Sequence, residues 1–544
     1  MQKEETMNKN GRRQFLKTAL ITSVAGVAAS AGVASAATES ISAETKTTKH
    51  SWEVPPKPIP DSQIQQTIET DIVVLGAGAA GIATAYAASS AGAKVIVIEK
   101  MKKFSARGLC NAAIGTKCQK EHGVNLNKDE IVARLVRQAG NRVHQQLVQL
   151  WADKSGEVFD HYIELGAANG IGVVLSDPYS ISDLYTTYST SHVFARKPGT
   201  PPSAGNENAQ PEFVLLELLE KSAKEKGADF RYDTAAQQLI REANGRVTGL
   251  VAEAKGSGYI KFSARKGVVV ATGGYGENPE MVEAWCPIAN MPEIKAYTPV
   301  GGNTGDGFNM ALWIGASLQN WPHPAIFHTS KMGIEAMTGN QSFLHVNRLG
   351  LRYENENVPN QNASDGRFLQ PGRKAWGIFD AKYEKDHQTF KSGFDGPVSE
   401  PMKALEESVQ NGKAFKAETI EELAKAIGVP ADALKQTVDR YTELARKKCD
   451  EDFHKDSALM FTIEQSPFYA LPLKSHFMVT LGGLNVNPQL QVLDQQDQAI
   501  AGLYAVGNAA GNFFANEYPV EVLGLSHGRA LTLGHVLGEN LAKS

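Results

Sequence analysis

The sequence predicts an α/β protein built on a mostly parallel sheet, with a second domain inserted into the chain. One observation is a strand, glycine turn, helix and second strand in order over residues 71–100. Another is that apolar strands run into glycine turns again at 266–274 and 502–511. Strands that alternate with helices form parallel sheets. The third is a change of composition from about residue 321, where irregular segments and capped helices begin and indicate a separate domain.

The unit at residues 71–100 has the features of a dinucleotide-binding turn. An apolar strand over Ile72–Leu75 is followed by three glycines in the pattern G-x-G-x-x-G. The glycines are Gly76, Gly78 and Gly81. The first makes the tight turn, the second admits a phosphate, and the third lets helix and strand pack closely. We expect the pyrophosphate at Ala79 and Ala80, because a helix N-terminus favours an anion.

The next strand, Lys94–Ile98, ends at Glu99. An acidic side chain there can accept hydrogen bonds from the ribose hydroxyls of an adenosine. An Ala- and Gly-rich helix between two core strands is the alternative explanation. Because strand, turn, helix, second strand and acid all occur in order, we predict a dinucleotide site.

The first 36 residues have the pattern of a twin-arginine export signal. Arg12 and Arg13 precede a mildly apolar run at 18–33 and the small residues 34–36, which form an A-x-A cleavage site. A membrane anchor is the alternative, but the run is short and rich in Ala, Gly and Ser. We expect a protein exported folded to the periplasm or cell surface, with no transmembrane segment in the mature chain.

The expected organisation has five parts. They are the signal at 1–36, a polar and Pro-rich linker at 37–67, the first part of the nucleotide domain at 68–320, the inserted domain at 321–476 and the second part at 477–544.

Charge and cysteine usage exclude other classes. The formal net charge is −4, and the signal carries five basic and two acidic side chains, so the remaining chain would carry −7. Nucleic acid is therefore not expected as a partner. The four cysteines lack C-x-x-C spacing, so we expect no metal site and no attached haem. Cys110 and Cys118 could pair in an oxidising compartment, but separate buried thiols are the preferred interpretation.

Together the motifs resemble the flavoprotein family of fumarate reductase, succinate dehydrogenase and 3-ketosteroid dehydrogenase. They are GAGAAG, VVVATGGYG, NTGDGF, HVNRLGLRYENEN, LGGLNV and GLYAVGNAAG, spread over Asp71 to Ala542. The resemblance implies a doubly wound FAD domain with an inserted α+β capping domain. It also implies FAD instead of NAD, and no second complete glycine fingerprint is present for a nicotinamide nucleotide. No histidine lies between Lys100 and Gln119, where succinate dehydrogenases attach their flavin, so we expect noncovalent FAD.

The motifs and the resemblance define the predicted cofactor contacts. Asp306, between glycines before a predicted helix, could accept a hydrogen bond from the cofactor or merely cap the helix. The predicted contacts are Gly76, Gly78, Ala79, Ala80, Gly81, Glu99, Lys100, Asn111, Gly115, Ala271, Thr272, Gly273, Asp306, Gly507, Asn508, Leu525 and Ser526.

The departures from the fumarate reductase pattern concern the substrate. In this chain Asn360 stands where fumarate reductases have a proton-delivering arginine, and Val479 stands where they have a histidine. The position of their carboxylate-binding arginine falls near Tyr518. The T-E-x-x-x-R motif falls on 335–339 and is not retained, whereas His323 is. Each missing charge-assisted bond would cost on the order of 1.5–3 kcal/mol, so fumarate is not the expected substrate.

The C-terminal segment instead resembles the ketosteroid dehydrogenases. In that group a tyrosine eleven residues after a glycine polarises the substrate carbonyl, and Gly507 and Tyr518 have this spacing. The glycine usual after that tyrosine is replaced by Val522. A phenol suits a neutral enone, because it donates a hydrogen bond as enolate charge develops. The alternatives are a packed aromatic for Tyr518 and a structural histidine for His323.

The leading hypothesis is an exported reductase of an activated C=C bond, an enone or enoate. The flavin N5 would pass a hydride to the β-carbon, Tyr518 would hold the carbonyl oxygen and His323 is the candidate proton donor. Electrons would come from an external cytochrome or quinone-linked carrier. The alternatives are ketosteroid-like CH–CH desaturation and a noncatalytic flavin electron carrier. Arg352 and Glu356, four residues apart, are interpreted as a structural ion pair.

Overall fold

The computed structural model describes most of the chain after the predicted signal. The described residues are 49–106, 110–175, 180–182, 185–197, 213–243, 245–295, 300–320, 322–329, 343–358, 360–387 and 401–544. The predicted signal at 1–36, residues 37–48 of the predicted linker and most of residues 176–210 lie outside these ranges.

The strands belong to five sheets. They are β1 (Ile64–Leu75), β2 (Val95–Ile98), β3 (Asn111–Ala112), β4 (Ile171–Leu175), β5 (Ser180–Ser182), β6 (Tyr185–Thr186), β7 (Ser191–Arg196), β8 (Asp229–Arg231), β9 (Thr234–Arg241), β10 (Val247–Ala254), β11 (Gly258–Val270), β12 (Ile294–Lys295), β13 (Ala325–Thr329), β14 (Leu344–Asn347), β15 (Ala375–Phe379), β16 (Phe415–Ala417), β17 (Phe468–Pro472), β18 (Ser475–Thr480), β19 (Gln491–Leu493) and β20 (Ala499–Ala505).

The described residues also form thirteen α-helices. They are α1 (Ala79–Ser90), α2 (Lys117–Glu121), α3 (Lys128–Gln138), α4 (Gln145–Ala168), α5 (Val214–Glu225), α6 (Pro279–Trp285), α7 (Asp306–Trp313), α8 (Asn360–Phe368), α9 (Tyr383–His387), α10 (Pro401–Gln410), α11 (Ile420–Ile427), α12 (Ala431–Lys447) and α13 (Leu525–Lys543).

The largest sheet has eight strands and a parallel centre, which confirms the predicted doubly wound α/β class. The strands β8, β2, β1, β11 and β20 lie side by side in that order, and each neighbouring pair is parallel. The chain moves outward from β1 to β2 and β8, then returns to the other side of β1 for β11 and β20. The strand order therefore reverses beside β1, and ligands of open α/β sheets bind at such a reversal, outside the carboxyl ends of the strands.

Two glycine-mediated contacts fix the helices at this edge. A Cβ at Gly81 would lie 2.0 Å from the carbonyl oxygen of Gly76, so only glycine lets α1 leave the turn so tightly. The last helix packs on α1 in the same manner, because a Cβ at Gly534 would lie 2.5 Å from the Ala80 carbonyl oxygen. The N-terminal and C-terminal parts of the chain thereby share one layer.

Residues 343–472 contain a second layer with apolar clusters of its own. The antiparallel sheet has the order β14, β15, β17, β16, and two buried apolar clusters pack on it, apart from the core of the large sheet. The capped helices predicted for this part of the chain are confirmed at α11, where Thr419 and Glu422 form a reciprocal capping box. The predicted domain boundaries at 321 and 476 stay predictions.

One sequence-based expectation needs correction. The segment predicted as a linker is ordered in its second half: β1 begins at Ile64, and Trp52 packs on Trp285 with ring centroids 4.4 Å apart. The chain between Lys128 and Ala168 forms two helices, α3 and α4, because Gly140 and Asn141 take left-handed φ values of 62° and 58°. No helix of the described residues is long and apolar enough to cross a membrane.

Candidate active site

The predicted glycine turns meet at the carboxyl edge of the large sheet. The Gly76 N–H donates to the Ile98 carbonyl at 2.8 Å, and the Ala271 N–H donates to the Leu75 carbonyl at 2.8 Å. Gly76 has a φ of 100°, and a Cβ there would lie 2.6 Å from the Ala271 oxygen. The turns after β1 and β11 are therefore in direct contact, as the sequence motifs required.

The N-terminus of α1 is open towards a ligand. Its N-cap is Gly78, which has no side chain to satisfy the first N–H groups, and Ala79 and Ala80 are only 8% and 5% exposed. Helix ends that are buried without a cap need another partner. A Cβ at Gly78 would meet only the Ser105 oxygen, at 3.6 Å, so the protein leaves this space unfilled. A phosphate fits here, because it accepts the free N–H groups and suits the helix dipole.

Glu99 lies where the ribose of an adenosine was predicted. Its Oε2 accepts the Ala77 N–H at 2.8 Å and its Oε1 accepts the Met101 N–H at 2.8 Å. Burial raises the pKa of Glu99, against the effect of these hydrogen bonds. A carboxylate has about four lone-pair sites, so each oxygen can still accept a hydroxyl.

Lys100 and Asp306 form an ion pair beside this position. Lys100 Nζ lies 2.7 Å from Asp306 Oδ2 and 2.6 Å from Thr304 Oγ1. Asp306 is the first residue of α7, whose N-cap is Gly305, so the capping alternative for Asp306 is wrong. The pair joins the loop after β2 to the start of α7.

The remaining predicted glycines bring further backbone to the same edge. Gly273 has a φ of 75° and Gly507 has a φ of 66°. A Cβ at Gly507 would lie only 2.9 Å from the Ala80 Cβ, which is too close for a side chain. Thr272 Oγ1 is buried and has no hydrogen-bond partner among the described residues. The turn after β20 therefore lies against the open end of α1.

Two other predicted contacts, Asn111 and Leu525, lie around the start of the last helix. Asn111 is buried and donates to the His192 carbonyl at 2.9 Å, and a Cβ at Gly524 would lie 2.7 Å from the Asn111 nitrogen. Leu525 is fully buried as the first residue of α13. Gly115 is exposed and lies just before α2, so its contact with the cofactor stays a prediction.

Tyr518 lies over the N-terminus of α13. The Ser526 N–H donates to the Tyr518 hydroxyl oxygen at 3.3 Å, and the ring packs on Phe514 with centroids 5.8 Å apart. The side chain is 7% exposed, and burial raises its pKa to about 12. The phenol is therefore protonated at neutral pH, and its oxygen has an acceptor role while its O–H can donate to a ligand.

His323 has protein partners at both ring nitrogens. Tyr275 OH lies 2.6 Å from Nδ1, and the Gln319 carbonyl lies 3.3 Å from Nε2. A carbonyl only accepts, so Nε2 carries the proton and Nδ1 accepts from Tyr275. Burial lowers the pKa of His323 to about 4, so the ring is neutral. A Cβ at Gly482 would lie 2.0 Å from the ring, so the LGG glycine makes room for it. These contacts favour the structural interpretation of His323; proton donation by it stays a prediction.

Sequence reasoning missed an acidic group beside Tyr518. Glu517 Oε1 accepts from Gln138 Nε2 at 2.9 Å, and its Oε2 accepts from Asn362 Nδ2 at 2.8 Å. Asp365, one helical turn after Asn362 on α8, has its Oδ1 buried without a hydrogen-bond partner among the described residues. Burial and then the charge of Glu517 raise the pKa of Asp365 to about 6. No motif marks these residues, because the chain segments that carry them are 152 positions apart.

Sequence reasoning also missed Arg529, in the second turn of α13. The side chain is 1% exposed, and its Nη2 donates to Asn508 Oδ1 at 2.8 Å. Its guanidinium carbon lies 5.3 Å and 4.9 Å from the ring centroids of Phe513 and Phe514. An arginine inside an amphipathic helix gives no sequence signal of burial.

Of the positions that the family resemblance identifies as charged in fumarate reductases, those in the described part of the chain, Asn360, Val479 and Tyr518, carry no cation. Asn360 begins α8, and Val479 lies in β18 paired with Ile326. Residues 335–339 lie outside the described ranges. The interpretation of Arg352 and Glu356 as a structural pair is confirmed, because Nε and Oε1 are 2.8 Å apart and both side chains are buried.

The cysteines are separate thiols, as preferred from the sequence. Cys110, Cys118 and Cys286 are buried, whereas Cys449 is exposed. Within the described part of the chain, no group of three or more His, Cys, Asp or Glu residues could hold a metal ion.

Comparison with known proteins agrees with this geometry. The chain is 29% identical over 521 residues to the "Probable fumarate reductase Ifc3" of Shewanella frigidimarina, covering 91% of this chain and 82% of that protein. It is 25% identical over 503 residues to the vinyl phenol reductase of Lactiplantibacillus plantarum, covering 87% and 96%. The solved structure of 3-ketosteroid-Δ4-(5α)-dehydrogenase from Rhodococcus jostii RHA1 has the same fold, with a TM-score of 0.70, 23% identity and coverage of 90% and 100%.

The residues at the sheet edge fit FAD. The uncapped N-terminus of α1 and the space at Gly78 suit the pyrophosphate, and Glu99 suits the adenosine ribose. Residues 71–521 match the family described as the FAD binding domain. The chain therefore belongs to the FAD binding domain family and is an FAD-dependent oxidoreductase.

Proposed function

We propose that this protein is an exported FAD-dependent reductase of an activated C=C bond in an enone or enoate that carries no dianionic charge. The observation that carries the proposal is the Tyr518 phenol, whose oxygen accepts from Ser526 and whose O–H can donate. It stands about where fumarate reductases hold an arginine for a substrate carboxylate.

A protonated phenol suits the oxygen of a neutral carbonyl. As the β-carbon receives a hydride, negative charge develops on that oxygen, and a hydrogen bond aimed at it strengthens. With a pKa of about 12, Tyr518 keeps its proton and donates it as a hydrogen bond throughout. The N–H of Ser526, at a helix N-terminus, withdraws charge from the phenol oxygen and makes it a better donor.

The acidic surroundings disfavour a dianion. Both oxygens of Glu517, the residue next to Tyr518, accept hydrogen bonds from neutral side-chain amides, those of Gln138 and Asn362. A dicarboxylate beside a fixed negative charge would lose hydration without gaining a cation. The similarity to a vinyl phenol reductase supports the same conclusion, since vinyl phenols carry no carboxylate.

Asp365 is the proton donor in this proposal. Its pKa of about 6 lets it hold a proton near neutral pH, and the Asn362 side chain on the same helix is already bonded to Glu517. A general acid works best when its pKa is close to the operating pH. His323 suits this role less, because its N–H is engaged by the Gln319 carbonyl.

Bound FAD supplies the hydride. The chain holds the pyrophosphate with the N-terminus of α1 and the ribose with Glu99. Tyr518 orients the substrate carbonyl, and Asp365 delivers a proton to the α-carbon. Electrons would reach the flavin from an external cytochrome or quinone-linked carrier, and the twin-arginine pattern would place the enzyme outside the cytoplasm.

Desaturation of a ketone-activated CH–CH bond is the second candidate, supported by the shared fold with a ketosteroid dehydrogenase. That direction uses a tyrosinate as base, and the high pKa of Tyr518 opposes it. A flavin electron carrier without catalysis is the third candidate, suggested by the missing arginines.

A panel of alkenes tests the three candidates. Dye-reduced holoenzyme is mixed anaerobically with enones, enoates and their esters, and the return of flavin absorbance is recorded. We expect rapid reoxidation by a neutral member. Reduction of the oxidised enzyme by a saturated ketosteroid would support desaturation, and no response to either class would leave only the carrier.

A further inference from the structure

Arg529 is a buried cation without a protein anion. Among the described residues it forms no ion pair, and its Nε is buried without a hydrogen-bond partner. Its other contacts are neutral: Nη2 donates to Asn508 at 2.8 Å and Nη1 donates to the Ala510 carbonyl at 3.4 Å. Burial lowers the pKa of Arg529 to about 9, so the guanidinium still carries its charge at neutral pH.

The other deeply buried arginines show what the fold does elsewhere. Arg367, 2% exposed, lies 2.6 Å from Glu293, and Arg352, 7% exposed, lies 2.8 Å from both Glu356 and Asp450. An unpaired buried charge costs several kcal/mol, so proteins pair such groups or neutralise them. The exception at Arg529 indicates that its anion is supplied by a ligand.

The position of Arg529 points to the reacting end of the cofactor. Its guanidinium carbon lies 4.9 Å from the centroid of the Phe514 ring, which itself packs on the ring of Tyr518 at 5.8 Å. Tyr518 is the candidate contact of the substrate carbonyl, and Arg529 also lies one helical turn after Ser526. A substrate held by Tyr518 must face the flavin ring to react. The N-terminus of α1 already provides the binding site for the pyrophosphate of FAD. We therefore assign Arg529 to the isoalloxazine-ring end of the cofactor.

We propose that Arg529 is the positive charge that the protein holds for the reduced form of FAD. Two-electron reduction with uptake of one proton leaves a negative charge on the N1–C2=O edge of the flavin, and nearby charge tunes the electronics of the cofactor. A cation in a water-poor site stabilises that charge and raises the midpoint potential. This inference depends on FAD and not on which substrate is reduced.

The test is the midpoint potential of the holoenzyme with Arg529→Met. We expect reduced FAD to bind at least tenfold more weakly relative to oxidised FAD, which for a two-electron couple lowers the potential by about 30 mV. Arg529→Lys keeps the charge and should recover most of the potential. Arg265→Met removes a half-exposed cation paired with Asp71 and should leave the potential unchanged.

If Arg529 binds a different anion, the same experiment gives a different result. If Arg529 paired with the pyrophosphate, Arg529→Met would weaken both redox forms of FAD equally and leave the potential unchanged. If it bound a substrate carboxylate, KM for enoates would rise at constant potential. Either outcome overturns the proposal.

A measurement on the unaltered enzyme covers the case in which Arg529→Met does not fold. The reduced holoenzyme is acidified to a pH at which free reduced FAD takes up a proton at N1. We expect its near-ultraviolet spectrum to stay that of the anionic form. A spectrum that titrates as free reduced FAD does would refute the role of Arg529.

Discussion

The hydroxyl oxygen of Tyr518 accepts a hydrogen bond from the backbone N–H of Ser526, 3.3 Å away at the first turn of the last helix. This contact fixes the phenol with its proton directed away from the helix. It joins the residue proposed to hold the substrate to the helix that also carries Arg529. The geometry makes Tyr518 a hydrogen-bond donor, which is the property that a neutral carbonyl needs.

Tyr518→Phe should slow reoxidation of reduced enzyme by an enone about 100-fold, because the donor to the developing oxyanion is lost. The ring packing on Phe514 is retained, so FAD content should be unchanged. Stopped-flow absorbance of the flavin measures the rate. An unchanged rate would show that the phenol is only a packed aromatic.

Asp365→Asn should remove the pH dependence of the same reaction. In the unaltered enzyme we expect the rate to fall as pH rises through about 6, where Asp365 loses its proton. The reoxidation rate of the variant should be roughly 100-fold lower than that of the unaltered enzyme at low pH. It should not change as the pH rises. Glu517→Gln is the control: it removes the negative charge that helps raise this pKa, so the inflection should move to lower pH.

Asp365 should also leave a signature in stability. Its folded pKa of about 6 lies above the unfolded value of roughly 4, so the folded state binds more protons between these values. The free energy of unfolding then falls as pH rises through this window. Asp365→Asn should stabilise the protein at pH 7 by at most about 3 kcal/mol, and by nothing below pH 4. Urea titrations at both pH values measure this, and equal effects would contradict it.

Two glycines of the turn should respond differently to alanine. At Gly78 the new Cβ meets only the Ser105 oxygen at 3.6 Å, so the apoprotein should fold and FAD affinity should fall. At Gly81 the Cβ would lie 2.0 Å from the Gly76 oxygen, so folding itself should fail. Circular dichroism and FAD titration of the two variants separate the effects. If the Gly78→Ala variant bound FAD with normal affinity, the phosphate would not lie against Gly78.

Glu356→Gln should destabilise the second layer. Glu356 is buried between Arg352 at 2.8 Å and Lys455 at 3.3 Å, so its loss removes one of the two carboxylates, Glu356 and Asp450, that offset these buried cations. We expect the free energy of unfolding to fall by about 3–5 kcal/mol. The exposed pair of Lys435 and Asp439 is the control, and Lys435→Met should not change the urea midpoint measurably. Equal effects of the two substitutions would contradict this account of the network.

The cofactor half of the site could be predicted from the sequence because its signals are local. The turn at Gly76–Gly81 needs glycine for reasons of covalent geometry, and Glu99 follows within one βαβ unit. The predicted linker was wrong in its second half, because Trp52 finds its partner Trp285 only in the folded chain.

The substrate half could be predicted only in part. Tyr518 was found by its spacing from Gly507. Glu517 and Asp365 were missed because their interaction depends on packing of α8 against a distant segment. Arg529 was missed because burial of one side chain within a helix leaves no pattern. His323 was identified as a candidate, but its partner Tyr275 showed only in three dimensions.

The most direct test of the central claim compares fumarate with dimethyl fumarate as oxidants of the dye-reduced holoenzyme. Both compounds contain the same C=C bond, but fumarate carries two negative charges and dimethyl fumarate carries none. We predict that the neutral diester restores flavin absorbance at least 100-fold faster, because each missing charge-assisted bond to a carboxylate costs about 1.5–3 kcal/mol. Faster reoxidation by fumarate would contradict the proposal and identify a dianion site.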